Sequence, residues 1–128
     1  MEEKMFRQKV LKWALDTYGT EPQYLWARYP DYAVLRHENG GKWFALIGGV
    51  KRSALGLGGD ELVDIVNVKC EPDEIDFLSQ QPGFFHGYHM NKNHWLTILL
   101  DGSVELETVC SFISHSYDLT APKLRKLK

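Results

Sequence analysis

The sequence holds no apolar run approaching the roughly 18 residues that a membrane-spanning helix needs, so no membrane association is expected. Its start, Met1-Glu2-Glu3-Lys4, lacks the basic opening and apolar stretch of a secretory signal, so a cytoplasmic location is expected. Cysteine is scarce. Cys70 and Cys110 allow one disulfide by count, but their spacing suggests neither a disulfide framework nor a zinc site. Reduced, buried thiols are the expected state. An excess of charge of one sign is lacking too: 15 Lys and Arg face 17 Asp and Glu for a formal net charge of -2, which argues against the strongly basic class of architectural nucleic-acid binders.

What is present is the material of a folded core. In 128 residues there are 4 Trp, 6 Tyr and 6 Phe, 44% hydrophobic residues and 25% charged ones. That composition excludes disorder, and the length fits one domain able to fold without staples. The domain is expected over residues 1–119. Residues 120–128 then form a basic tail carrying Lys123, Arg125, Lys126 and Lys128.

The periodicity predicts a helix over 2–18, with Phe6, Val10, Trp13, Ala14 and Thr17 at helical spacing and Leu11 and Leu15 widening the stripe. Gly19 is its expected stop. Tyr24, Trp26 and Tyr29 follow in a Pro-punctuated segment expected to hold a short strand. Residues 33–37 and 42–47 read as strands around Glu38-Asn39-Gly40-Gly41, a hairpin signal because Asn and Gly tolerate positive φ. Residues 48–59 read as a glycine-rich connection. In the strand predicted over 63–70, alternation puts Val66, Val68 and Cys70 on one face and Ile65, Asn67 and Lys69 on the other.

Pro72, Asp73 and Glu74 suit the first turn of a helix reaching about Gln81. Residues 83–93 read as an aromatic, histidine-rich loop and 94–100 as a strand. Ser103 is a candidate cap for a helix over 104–115, with Asp118 onward as tail. Consecutive strands joined by hairpin signals imply an α+β fold, an antiparallel sheet with helices packed on one face.

Four strings stand out together: Tyr18-Gly19-Thr20-Glu21-Pro22, Lys42-Trp43-Phe44-Ala45, Val66-Asn67-Val68-Lys69-Cys70, and Tyr88-His89-Met90-Asn91-Lys92-Asn93-His94-Trp95. In combination they resemble the MmcQ/YjbR family of small bacterial proteins, over roughly Met5 to Leu119. The resemblance implies a frataxin-like antiparallel sheet with helices and a double-wing DNA-binding surface. It brings no catalytic residues.

The candidate nucleic-acid-binding set is Lys42, Lys51, Arg52, Asn67, Lys69, His89, Asn91, Lys92 and His94. Lysine and arginine neutralise phosphates, and asparagine reaches phosphates or base edges. The 39–40 hairpin and the 83–93 loop would be the wings. The competing reading has Asn67 and Asn91 bracing loops and the lysines solvated. His86, His89 and His94, with His37 or Cys70, match no standard zinc spacing, so no metal is expected. Cys70 reads as core packing because alternation turns Lys69 away from it. The glycines of 48–59 lack the context of a phosphate loop. Asp60, Glu61 and Asp64 would partly cancel the charge of Lys51 and Arg52, and no carboxylates form an acid/base pair.

The expected function is therefore non-catalytic DNA binding through phosphate contacts, without a cofactor. The alternative is a protein-interaction or small-ligand module using the aromatic 83–95 region. A monomer or weak homodimer is expected.

Overall fold

The computed structural model describes residues 2–38, 41–88 and 90–122, with side chains from residue 6 onward. Helix α1 spans Glu2–Tyr18 and ends where Gly19, at φ 69°, donates its amide to the Leu15 carbonyl. Strands β1 (Ala33–Arg36), β2 (Trp43–Lys51) and β3 (Leu62–Lys69) follow, with a 3-10 turn at Arg52–Leu55. Then come α2 (Pro72–Leu78), β4 (Phe84–His86), β5 (Trp95–Leu99) and α3 (Leu106–Thr120). The five strands form one antiparallel sheet in the order β1-β2-β3-β5-β4.

Alternation decides what each strand buries. Val66 and Val68 pair with Ile98 and Leu96 across β5 and with Ile47 and Ala45 across β2. These side chains lie under α1 and α3, packed with Val10, Ala14, Val109 and Ile113. The opposite face carries Leu46, Asn67 and Thr97 in one row and Val50, Val63, Ile65 and Leu99 in a second apolar cluster. The α-helices leave that second face to other segments: Leu55 of the 3-10 turn, Phe85 of β4, and Leu57 and Tyr88 from loops pack there, and the Tyr32 ring lies against Gly48.

Several expectations need correction. The glycine-rich connection starts later than its composition suggests, because Gly48 and Gly49 lie inside β2, paired with Ile65 and Asp64. Gly48 is the site of a close approach: a Cβ there would stand 2.9 Å from the Tyr32 ring. The segment before β1 forms a single bridge, Gln23 to Val34, rather than a strand. Part of the loop expected over 83–93 is strand β4. Glu105, not Ser103, occupies the cap position of α3, and Ser103 instead bonds the Asp101 carboxylate in the turn. Helix α3 runs on to Thr120, whose hydroxyl is buried against His37. Leu15 and Thr17 are exposed, and Trp13 and Leu106 only partly buried. Asn39 and Gly40 lie outside the described residues, but the strands on either side of them do pair antiparallel.

Candidate ligand cavity and the basic end of the sheet

A β-bulge organises the second face. Leu35 pairs with Ala45 and Arg36 with Trp43, so Phe44 is the extra residue. Phe44 and Ala45 both enter the core under the helices, and Trp43 is carried to the other face. There it meets Trp26, with ring centroids 5.8 Å apart at 77°. Trp26 also meets Tyr32, at 6.3 Å and 85°, and Tyr32 meets Tyr29 at 5.5 Å and 54°.

These four rings, with Leu46 on the sheet and Met90 from the following loop, line a cavity of about 310 Å³. Leu46 is buried, whereas Tyr29 is 53% exposed, so the cavity has a sheet floor and a solvent-facing rim. The Tyr32 hydroxyl donates to the Gly49 carbonyl at 3.1 Å, which fixes that wall. Burial, reinforced by the negative charge of Asp31, pushes the Tyr32 pKa above the usual phenol value. The wall-forming segment is tied to α1, where Arg7 donates to the Asp31 carbonyl and stands 3.6 Å from the Asp64 carboxylate.

The sequence-nominated polar residues divide into three groups. Lys51 and Arg52 sit where β2 ends, beside Leu62 at the start of β3, and Arg52 Nε donates to the Gly58 carbonyl. Lys42, Lys69, Asn91, Lys92 and His94 lie at the other end of the sheet, because β2 begins where β3 finishes and β5 starts. Lys42, Asn91, Lys92 and His94 are exposed there, and Lys69 Nζ stands 5.4 Å over the Trp95 ring. Asn67 belongs to neither end. It is 2% exposed, accepts from the Thr97 hydroxyl and donates to the Tyr88 carbonyl, while Thr97 accepts the Tyr88 amide. This triangle holds the loop after β4 onto the sheet. Asn91 accepts the Asn93 amide within its own turn. His89 lies outside the described residues.

The remaining chemistry is dispersed. His37 is buried beside Phe44 and Tyr117 and shares a hydrogen bond with Thr120. His86 reaches Ser79, and His115 pairs with Glu71 at 3.2 Å. Among the described residues no group of three or more His, Cys, Asp or Glu could hold a metal ion. Both cysteines are free; burial raises the Cys70 thiol pKa and pushes that of Cys110 up to about 11. Both therefore stay protonated at neutral pH, the unreactive form.

The aromatic cavity escaped the sequence reading because its residues come from three separate stretches of chain, 26–32, 43–46 and Met90. Tyr24, Trp26 and Tyr29 marked the region, but only the bulge at Phe44 and the ring contacts show which of them meet. Phe84 and Phe85 do not line the cavity: Phe84 joins the core under the helices and Phe85 the second cluster.

A two-layer α+β domain with one loop-covered sheet face is thus the class defined by the fold. The sequence profile of the YjbR family matches residues 15–119, and the chain belongs to that family. It is similar to the uncharacterized protein YyaQ of Bacillus subtilis strain 168, with 40% identity over 89% of this chain and 97% of that one. It also resembles a Pseudomonas syringae protein of known crystal structure, with 38% identity, a TM-score of 0.86, and coverage of 89% of this chain and 97% of that one. A Deinococcus radiodurans protein with a DUF419 domain shares the fold, at TM-score 0.62 and 21% identity over 94% of this chain and 80% of that one. Among the described residues no helix is long and apolar enough to cross a membrane.

Proposed function

We propose that the chain is a non-catalytic binding protein that receives a small part of its ligand in the Trp26–Tyr29–Tyr32–Trp43 cavity. The observation that carries this reading is the cavity itself: four aromatic rings, Leu46 and Met90 around about 310 Å³, at the small end of the usual ligand-pocket range. Apolar walls with a rigid floor are what small-molecule sites are built from. Its placement refines the small-ligand alternative drawn from the sequence: among the described residues of the 83–95 region, Met90 alone takes part. The test is a fragment screen by NMR with the indole resonances assigned. Hits should shift Trp26 and Trp43 and leave Trp13 and Trp95 in place. A screen in which nothing moves Trp26 or Trp43 would sink the reading.

A second reading, DNA binding through phosphate contacts, rests on a different observation. Strand register gathers Lys42, Lys69 and Lys92 at one end of the sheet. Lysine is a flexible point charge, so such contacts would be weakly sequence-dependent and strongly salt-dependent. Each of Lys69→Ala and Lys92→Ala should then shallow the salt slope by roughly one unit. The comparison belongs in a full-length chain whose Lys123, Arg125, Lys126 and Lys128 are alanine, since the tail alone attracts polyanions. Absence of duplex binding by that chain at low salt would dismiss this reading.

A further inference from the structure

We infer that the aromatic cavity is a cage for a quaternary ammonium group, the trimethylammonium end of a small cation or zwitterion. The inference rests on the cavity reading above and names the chemistry of its occupant.

Ring orientation offers no parallel pair to sandwich the first competitor, a flat aromatic ligand. Stacking on both faces of such a ligand would need two parallel rings, but the three ring pairs around the cavity stand at 85°, 77° and 54°. Parallel stacking does occur elsewhere in the molecule, between Tyr18 and Tyr117 at 3.8 Å and 6°, under the helices. Steeply angled rings instead present faces and edges on several sides of one small volume. A compact, roughly spherical cation fits that arrangement, because aromatic faces carry the negative part of the ring quadrupole.

The lining chemistry disfavours the second competitor, a primary ammonium or guanidinium. Those groups bring several N–H donors that need acceptors once water is removed. Among the described residues no carboxylate lines the cavity, so the side-chain acceptors it offers are the Tyr29 and Tyr32 hydroxyl oxygens, too few for three or more N–H donors. A quaternary nitrogen has no N–H to satisfy and meets its surroundings through methyl groups, which Leu46 and Met90 also suit.

Charge favours a cation over a neutral apolar group. The eight residues from Ala121 to Lys128 hold four cations and no acid, so the other 120, with 11 cations against 17 acids, stand at -6. A domain of that sign raises the local concentration of cations. Lys69 stands over the ring of Trp95, which does not line the cavity. Lys42 precedes Trp43 and Lys92 follows Met90 by two residues, which gives the anion of a zwitterion cations within the same neighbourhood.

The experiment is calorimetric and NMR titration of the full chain with tetramethylammonium, with choline, and with 3,3-dimethylbutan-1-ol, the neutral carbon isostere of choline. Tetramethylammonium and choline should bind and shift the Trp26 and Trp43 indoles. The isostere should bind at least about tenfold more weakly, the size of a desolvated cation–π term. Betaine and phosphocholine form two further arms; whichever binds tighter than choline identifies the anion carried by the natural ligand.

Trp26→Ala should weaken choline binding about tenfold or more, and Trp13→Phe, under the helices, should leave it unchanged. Should Trp26→Ala unfold, Tyr29→Ala at the exposed rim serves in its place. Equal binding of choline and its isostere would overturn the inference while leaving the cavity reading intact. If the charged and neutral probes all fail, and the fragment screen is silent as well, both readings fall together.

Discussion

Ser116→Ala is the sharpest test of how the sheet and α3 are joined. The bulge at Phe44 breaks the β2–β3 ladder after the Ala45–Val68 pair, leaving the Phe44 carbonyl and the Lys69 amide without a strand partner. The Ser116 hydroxyl fills the gap. It donates to the Phe44 carbonyl at 2.7 Å and accepts the Lys69 amide at 2.8 Å, and the residue is 0% exposed. One side-chain oxygen thus replaces a rung of backbone hydrogen bonding and ties the helix to two strands.

Alanine removes the oxygen without enlarging the side chain, so both backbone groups lose their partner. At roughly 1–3 kcal/mol for each unsatisfied buried group, and with partial relaxation, the cost is about 2–4 kcal/mol. That is a large share of the 5–15 kcal/mol typical of a domain. In urea, with an unchanged slope, the midpoint should fall by about 1–2 M, and the Lys69 amide should lose hydrogen-exchange protection. Ser111→Ala, at an exposed position of the same helix, is the control and should stay within about 0.5 kcal/mol. If Ser116→Ala matches that control and Lys69 keeps its protection, the hydroxyl is not bridging the strands and the argument is wrong.

Ile113→Ala empties a fully buried site between α3 and the sheet, and chemical denaturation should show a loss of about 2–5 kcal/mol. Gly48→Ala places a methyl against the Tyr32 ring at 2.9 Å, so the ring must move; stability should drop by about 1–3 kcal/mol, and calorimetry should show choline binding weakened with the displaced wall. The Cys110 thiol pKa rises on folding from 9.0 to about 11, so the neutral thiol is favoured in the native state. Its contribution is complete below about pH 9 and is lost as pH climbs toward 11, an amount of about 2–3 kcal/mol. Cys110→Ala should therefore flatten the alkaline fall in stability; an identical fall in both proteins, followed by urea midpoints across that window, would show that the thiol contributes nothing.

Much of the fold is legible in the residues taken in order. The alternation of Ile65 to Cys70 sorted the two sheet faces correctly, because side-chain period along a strand is a local property. Pro72 with Asp73 and Glu74 marked the start of α2, and Gly19 marked the end of α1, since capping depends on nearest neighbours. The likeness to the YjbR family was legible too, in four short strings. Element ends fared worse: α3 outran its expected end because Ser116 and Thr120 make bonds to residues more than 70 positions away, which no local pattern encodes.

Tertiary structure alone decided the site. Asn67 and Lys69 share a strand face, yet the first is buried in a triangle with Thr97 and Tyr88 and the second lies over Trp95 at the sheet end; register across β5 makes that difference. Lys42 precedes β2 and Lys51 is the last of its nine residues, so an extended strand holds them roughly 30 Å apart, although composition grouped them. Trp26, Tyr32, Trp43 and Met90 meet because one bulged residue turned Trp43 to the loop-covered face, a choice made by the packing of Phe44 rather than by any signal at Trp43 itself.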